Sequence, residues 1–165
     1  MSFTAPPRFR RLALAAVVLI AIILALMRSQ SSATGRGLGV REGRLAPCPD
    51  SPNCVCSQDA DAAHAIAPLT FRGSAAEAMR GLKQVLEAQP RVRVLAETPD
   101  YLHAEFRTAL FRFVDDVEFL VVEKDHVIHV RSASRFGHSD LGTTRRRIEA
   151  LRREFERALG SSSAR

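Results

Sequence analysis

VIHVRSASRFGHSDLGTTRRRIEALRREF, from Val127 to Phe155, is the segment around which the rest of the predicted fold is arranged. Its first residues alternate apolar and polar side chains, which predicts a half-buried strand that ends near Arg131. A loop rich in Ser, Gly and Asp follows, and then a helix that opens on Arg145–Arg147. Three arginines are unusual there, because the N-terminal turn of a helix carries a partial positive charge and favours Asp or Glu. Either carboxylates elsewhere in the fold or an external anion must neutralise them.

Acidic side chains that could do so lie in the strand just upstream. Val117, Phe119 and Val121 share one face of a predicted strand, and a tight turn joins this strand to the next. The register that matches the two apolar faces places Glu118 opposite Arg131. Asp115 and Asp116 then lie at the start of the first strand, close to where the second strand leaves for the arginine-rich loop. The sequence therefore predicts that carboxylates converge on the arginines.

The residues before this region predict a short strand, a helix and a hairpin. Residues 65–71 form the strand, and residues 74–88 form a helix that begins with the capping box Ser-Ala-Ala-Glu. Residues 92–106 form a hairpin with a three-residue loop. That register makes one continuous apolar face and places Arg93 opposite Glu105.

The order strand, helix, four strands, helix predicts an α+β fold. We expect a five-stranded, mainly antiparallel sheet with the two helices on one face, preceded by one N-terminal transmembrane helix. The other face of the sheet is expected to be solvated or to cover a partner. It carries Arg93, His103, Glu105, Glu118, His129 and Arg131.

Five segments are predicted along the chain: a basic cytoplasmic N-terminus (1–11), a transmembrane signal anchor (12–27), a flexible linker (28–46), a globular domain (47–160) and a disordered tail (161–165). As a helix, the apolar run spans roughly 24 Å, short of the roughly 30 Å hydrocarbon core but usable with local thinning. A cleaved signal peptide is the alternative. The anchor predicts a single-pass protein of the bacterial inner membrane, in contact with the lipid bilayer, with its domain on the periplasmic side.

The basic composition does not indicate a nucleic-acid-binding protein. The formal net charge is +6, and residues 1–47 account for all of it, with seven arginines and one acid, Glu42. A nucleic-acid-binding domain would carry the basic excess itself. Nucleic acid is therefore excluded as a partner.

The three cysteines of the chain lie close together at Cys48, Cys54 and Cys56. Cys48 and Cys54 flank a turn-rich segment, and in an exported protein they are predicted to form a disulfide that leaves Cys56 free. A Cys3His zinc site that includes His64 is the alternative. The single residue between Cys54 and Cys56 makes joint tetrahedral ligation awkward. We therefore predict the disulfide, and neither a metal nor a cofactor.

Three motifs in this order resemble a known family: CPDSPNCVCSQ at 48–58, DDVEF at 115–119, and VRSASRFGHSDLG followed by RRRIEALR at 130–152. Together they resemble the bacterial and plastid family catalogued as domain of unknown function 1499, over residues 47–159. The resemblance implies an exported or membrane-associated domain with no established activity. The family pattern generally has Ser at the position of Cys56 and Asn at that of Thr144.

Two interpretations of the arginine-rich stretch remain open. The acids and arginines form a structural ion-pair network, or they form a surface that binds an anionic ligand or an envelope protein. A non-enzymatic module is favoured, and no residue is assigned a catalytic role. A hydrolase-like enzyme is the alternative, using the carboxylates or a serine with His129 or His138, although no G-x-S-x-G motif presents a serine. The candidate residues are Asp115, Asp116, Glu118, Arg131, Ser132, Ser134, Arg135, Gly137, Ser139, Asp140, Arg145 and Arg147.

Overall fold

The structure is a computed structural model that describes residues 7–32 and 37–162. The helices are α1 (Pro7–Ser32), α2 (Ala75–Glu87) and α3 (Thr143–Ser162). The strands are β1 (Val40–Arg41), β2 (Arg44–Leu45), β3 (Cys54–Cys56), β4 (Leu69–Thr70), β5 (Val92–Glu97), β6 (Tyr101–Arg107), β7 (Val114–Val122) and β8 (Val127–Ser134). A short 3-10 helix, Glu123–Asp125, joins β7 to β8.

Six of the strands form one antiparallel sheet in the order β3-β8-β7-β6-β5, and β4 also pairs with β8. The α+β class and the mainly antiparallel sheet are confirmed, but the predicted count of five strands was wrong. The additional strand is β3, which pairs with the end of β8. No local pattern marks it, because it is three residues long and lies among turn-forming residues. Its extended conformation is set by the hydrogen bonds to β8.

The register of β7 and β8 is the one that the apolar pattern predicts. Glu118 lies opposite Arg131, and Leu120 lies opposite His129. This alignment keeps the apolar side chains of both strands on the face that meets the helices. It also fixes which acidic and basic side chains share the other face.

The hairpin of β5 and β6 departs from the predicted register near its turn. Arg93 lies opposite Glu105 as predicted. Beyond this pair the register shifts, so Ala96 pairs with His103 rather than with Leu102. A bulge places one extra residue in one strand, and a pattern of alternating side chains does not reveal where that residue is inserted.

Helices α2 and α3 pack against one face of the sheet, as predicted, and form the main core. The predicted capping box is present: Ser74 Oγ accepts the amide of Glu77, and the Glu77 carboxylate accepts the amide of Ser74. Complete burial of one large apolar side chain stabilises a fold by about 1.5 to 3 kcal/mol. The helices bury Ala78, Met79, Leu82, Val85, Leu86, Ile148, Leu151 and Phe155.

Helix α3 differs from its predicted limits at both ends. The helix was predicted to open on Arg145, but α3 begins at Thr143, and Leu141 lies just before it and is 84 % exposed. At the other end, α3 continues to Ser162, the second residue of the predicted tail. Residues 163–165 lie outside the described residues.

The second face of the sheet is covered by part of the segment that was predicted to be a flexible linker. Within it, β1 and β2 form a two-stranded hairpin, and Leu45 is buried beside Leu120 and Cys56. The amide of Gly39 donates to Glu118 Oε1 at 2.6 Å. The expectation that this face is solvated or covers a partner was therefore wrong for its centre. The buried polar residues there include His103, Glu105, Glu118 and Arg131.

Helix α1 contains the apolar run 12–27. Nearly all of its side chains between Arg11 and Leu26 are exposed. Within the part of the chain that the structure describes, no helix combines the length and the apolar content that crossing a membrane requires. The predicted transmembrane helix is therefore not confirmed. Residues 1–6 of the predicted basic N-terminus and residues 33–36 of the predicted linker lie outside the described residues.

Candidate functional site

The predicted carboxylates are brought close to the predicted arginines, but on two faces of the sheet. Asp115 and Asp116 are neighbours in β7, so their side chains point to opposite faces. Asp115 pairs with Arg147 of α3, whereas Asp116 and Glu118 lie on the second face. All three carboxylates are buried. One ion-pair group therefore surrounds each carboxylate.

The first group is centred on Asp116 and Arg135. Arg135 Nε donates to Asp116 Oδ2 at 2.7 Å, and Nη2 donates to Oδ1 at 2.6 Å. The same Nη2 lies 2.7 Å from Glu105 Oε1, and His103 Nε2 donates to Asp116 Oδ1 at 2.7 Å. Arg107 reaches the other oxygen of Glu105 at 3.1 Å. Two acids, two arginines and a histidine thus satisfy one another beside the end of β8.

The hydrogen bonds in this group decide the charge of Asp116. Burial opposes ionisation of its carboxyl, but the hydrogen bonds from Arg135 and His103 outweigh burial, so the pKa of Asp116 lies below its usual value. The hydrogen bond to Asp116 in turn raises the pKa of Arg135. Asp116 and Arg135 are therefore a buried pair of full charges.

The second group is centred on Glu118, whose side chain is fully buried. Arg131 Nη1 donates to Oε2 at 3.1 Å, and Tyr101 Oη donates to Oε1 at 2.8 Å. The amide of Gly39 also donates to Oε1, as described above. Burial raises the pKa of Tyr101, and the Glu118 carboxylate raises it further. Arg131 Nε is buried and has no hydrogen-bond partner among the described residues.

The third group lies between the sheet and α3. Arg147 Nη2 contacts Asp115 Oδ2, and Arg147 Nη1 lies 3.5 Å from Ser132 Oγ. The guanidinium also sits over the Phe106 ring, 5.1 Å from its centroid. Burial raises the pKa of Asp115, and the positive charge of Arg147 offsets this only in part. Of the three arginines at the start of α3, Arg147 is therefore the one whose charge a carboxylate neutralises among the described residues.

The start of α3 is stabilised by an aspartate just outside it. Asp140 Oδ2 accepts the amide of Thr144 at 2.6 Å, and Oδ1 accepts that of Gly142 at 2.9 Å. Its negative charge is favourable at the helix N-terminus. Arg145 donates to the carbonyls of Ala63 and Ala65 at 2.9 and 2.8 Å rather than to a carboxylate. Arg145 therefore joins the helix to the segment before β4.

The remaining candidate residues hold the loop between β8 and α3. Ser134 Oγ donates to the carbonyl of Phe136 at 3.1 Å, and Ser139 Oγ accepts the amide of Leu141 at 3.3 Å. The Gly137 carbonyl accepts from Asn53 Nδ2 at 2.5 Å. Gly137 has φ +86°, a conformation that glycine adopts without a steric penalty. These contacts shape the loop.

The side chains of the alternative hydrolase mechanism are not assembled. Among the described residues, Ser132, Ser134 and Ser139 have no hydrogen bond to either histidine of that hypothesis. His129 Nδ1 instead lies 3.1 Å from Ser57 Oγ, which also accepts the amide of Val130. The geometry therefore does not present a nucleophilic serine with its base.

The cysteines are arranged as the sequence predicts. Cys48 and Cys54 form a disulfide, and Cys56 is free and buried. Burial raises the pKa of the Cys56 thiol. His64 Nδ1 pairs with Asp61 Oδ2 at 2.7 Å. The alternative zinc site is wrong, because two of its four ligands are joined in the disulfide.

Four polar or charged side chains of the ion-pair groups were absent from the predicted site: Tyr101, His103, Glu105 and Arg107. They alternate along β6 and therefore share one face, and the register of β6 on β7 places that face beside Glu118. The alternation was visible in the sequence, but the cover over this face was not. Without that cover, His103 and Glu105 were expected to be solvated or to cover a partner.

A family profile described as protein of unknown function (DUF1499) matches residues 44–155. The match confirms the resemblance carried by the three motifs. It contains every member of the three ion-pair groups except Gly39. A comparison with curated proteins finds no match.

Proposed function

The chain belongs to the DUF1499 family of proteins of unknown function, and because that description carries no activity, we propose a function from its geometry. The protein is a non-enzymatic domain held at a membrane by its N-terminal helix. Arg131, Arg135 and Arg147 of its arginine-rich stretch form an internal scaffold rather than a binding site for anions. The observation that carries the proposal is that buried carboxylates of the same chain pair with all three.

Three arginines of the stretch are matched by buried carboxylates. Arg131 pairs with Glu118, and Arg147 pairs with Asp115. Arg135 forms a bidentate ion pair with Asp116. An anion site needs donors that point to solvent, whereas these three arginine side chains are between 4 % and 12 % exposed. The arrangement supports the structural network over the external anion.

The other two arginines of α3's first turn are satisfied by backbone oxygen. Arg145 binds the carbonyls of Ala63 and Ala65, as described above, and Arg146 Nη1 donates to the Leu141 carbonyl at 2.7 Å. These contacts connect the helix start to two separate loops. The three consecutive arginines therefore bind three different parts of the chain.

Support for the membrane attachment comes from the sequence. The apolar run 12–27 follows Arg8, Arg10 and Arg11, as in a signal anchor. A disulfide is typical of a compartment outside the cytoplasm. We propose that the domain lies on the periplasmic side of a bacterial inner membrane.

Membrane fractionation of cells that express the full chain tests the attachment. We expect the protein to remain in the membrane pellet after an alkaline carbonate wash, with its N-terminal helix uncleaved. Ile20→Arg should release it, because an arginine at the centre of an apolar helix costs about 2.5 to 3.5 kcal/mol on insertion. Ile20→Val is the matched control and should stay in the pellet. A soluble chain that begins after the apolar run would refute the attachment.

Native mass spectrometry of the chain extracted from these membranes tests the scaffold. We expect the mass of the polypeptide with one disulfide and no retained anion or metal. A small molecule retained in a one-to-one ratio, and lost in Arg135→Ala, would refute the scaffold and favour a binding site.

A further inference from the structure

Two neighbouring loops at one end of the sheet expose large apolar side chains. The β6–β7 loop, residues 108–113, carries Leu110 and Phe111, which are 74 % and 45 % exposed. The β8–α3 loop, residues 135–142, carries Leu141, the most exposed large apolar side chain described. In the described part of the domain after α1, only Val40 and Leu95 are also large, apolar and exposed. Solvent-facing apolar surface is therefore concentrated on these loops.

The two loops are joined by stacked aromatic rings. The Phe111 ring lies 5.5 Å from that of Phe113, which lies 5.2 Å from that of Phe136 in the other loop. The amide of Arg135 donates to the Val114 carbonyl at 3.0 Å, beside this stack. The two loops are thus in direct contact with each other.

Backbone hydrogen bonds hold the first loop in shape. The amide of Thr108 donates to the Phe113 carbonyl at 2.9 Å, and the amide of Phe113 donates to Thr108 Oγ1 at 2.9 Å. These bonds close the loop at its base. Leu110 and Phe111 are therefore presented outward instead of folding into the core.

Leu141 is held outward in an unfavourable conformation. Its φ is +55°, in the left-handed region that a leucine rarely adopts. Its amide donates to Ser139 Oγ and its carbonyl accepts from Arg146, so both backbone groups are fixed. The hydrogen bonds offset the steric cost and keep the side chain in solvent.

The charges near these apolar residues are basic. Arg112, next to Phe111, has no hydrogen bond or ion pair among the described residues. Arg146 contacts only backbone and hydroxyl oxygens, so its charge is not neutralised by a carboxylate. Asp140 is the acidic residue of the second loop, and its carboxylate accepts backbone amides at the start of α3. Apolar side chains beside cations suit a surface of anionic lipid headgroups over acyl chains.

The length of the chain keeps the domain close to any membrane that holds α1. Five residue steps separate Ser32 from Gly37, and an extended chain covers at most about 18 Å in that number of steps. A domain of this size is roughly 30 Å or more across. One of its surfaces must therefore lie next to the bilayer.

We propose that the loops at 108–113 and 135–142 dock on the surface of an anionic phospholipid bilayer, with Leu110, Phe111 and Leu141 inserted and Arg112 and Arg146 at the headgroups. The proposal rests on the membrane attachment of α1, which brings the loops to the bilayer. The attachment of α1 does not by itself determine which surface of the domain contacts the bilayer. We assign the contact to this surface because of its exposed apolar side chains and its arginines without a carboxylate partner.

A single tryptophan tests the contact, because the chain contains none. Phe111→Trp places the probe on the first loop, and Leu95→Trp is the matched control. Leu95 is 42 % exposed, close to the exposure of Phe111, but lies on the edge strand β5. Each full-length variant is reconstituted into phosphatidylcholine vesicles with and without phosphatidylglycerol, and co-flotation establishes that it is bound.

In vesicles with phosphatidylglycerol we expect the Phe111→Trp emission to shift to shorter wavelength, to be quenched by brominated acyl chains and to lose quenching by aqueous acrylamide. The Leu95→Trp emission should keep its acrylamide quenching. Adding Arg112→Glu to Phe111→Trp, or omitting phosphatidylglycerol, should reduce the shift.

Equal acrylamide quenching of the two tryptophans in floated vesicles would overturn the docking while leaving the attachment intact. A shift seen in native membranes but absent from protein-free vesicles would also overturn it and indicate a protein partner. Failure of both variants to float would refute the attachment of α1 itself, and with it the docking that rests on it.

Discussion

Arg135, in the loop that follows β8, forms a bidentate ion pair with Asp116 of β7. Arg135 Nε donates to Asp116 Oδ2 at 2.7 Å, and Nη2 donates to Oδ1 at 2.6 Å. The pair fastens the loop to the sheet, and the same loop leads to α3. Both side chains are almost completely buried. Loss of one partner therefore leaves a charge with no water to solvate it.

Asp116→Ala and Arg135→Ala should each lower the free energy of unfolding by about 3 to 5 kcal/mol, the usual cost of stranding a buried charge. The double variant should lose less than the sum of the two, because it strands neither partner. Urea denaturation of the four proteins measures the coupling. Arg93→Ala, an exposed arginine on the neighbouring strand β5, is the control and should change stability by no more than about 0.5 kcal/mol. Additive losses would contradict a direct pair.

The neighbouring aspartates should show opposite dependence on pH. The pKa of Asp116 is lowered, so its contribution to stability is present above the unfolded value of about 3.9 and is lost as the pH falls through the folded value. The pKa of Asp115 is raised, so its contribution is present below the unfolded value and is lost as the pH rises through the folded value.

Comparison of each Asp→Asn variant with the wild type at equal pH isolates these effects. As the pH falls toward about 3, the wild type should lose its advantage over Asp116→Asn and gain relative to Asp115→Asn. Urea denaturation across this range gives both differences. Slopes of the same sign would show that the two carboxyls do not differ in this way.

Tyr101 is the only tyrosine of the chain, so its titration can be followed alone. Its phenolate should form only well above the usual pKa of about 10, because the side chain is partly buried and donates to Glu118. Glu118→Gln should lower the pKa of Tyr101 toward the usual value while burial keeps it above that value. Phenolate absorbance measures both, with the unfolded protein as reference. An unchanged pKa in Glu118→Gln would mean that the carboxylate does not set it.

The disulfide should stabilise the folded domain by about 2 kcal/mol, the loop-entropy value for a short closed loop. The joint variant Cys48→Ala and Cys54→Ala should therefore unfold at lower urea concentration.

The Cys56 thiol should resist alkylation in the folded protein, because it is buried and its pKa is raised. Alkylation at equal rates with and without urea would contradict that burial.

Features with a local cause could be predicted from the amino-acid sequence. The capping box needs only a serine and a glutamate three residues apart, and the register of β7 on β8 follows from matching apolar faces across a tight turn. The disulfide follows from two cysteines with a turn between them. The family followed from three motifs in order. For the capping box, the strand register and the disulfide, residues close in sequence were enough to restrict the geometry.

The cover over the second face of the sheet and the pairing of the charges depend on contacts between distant parts of the chain, so the sequence did not predict them. β3 is extended because β8 offers it hydrogen bonds, and the cover contributed by Leu45 depends on a contact with Leu120 far along the chain. An arginine can pair with any acid or carbonyl within reach, so charge alone could not assign Arg135 to Asp116 or Arg145 to two carbonyls. Those choices are made by distance and burial, because ion pairs are strong and selective only where the packed chain brings charges within hydrogen-bonding distance and excludes water.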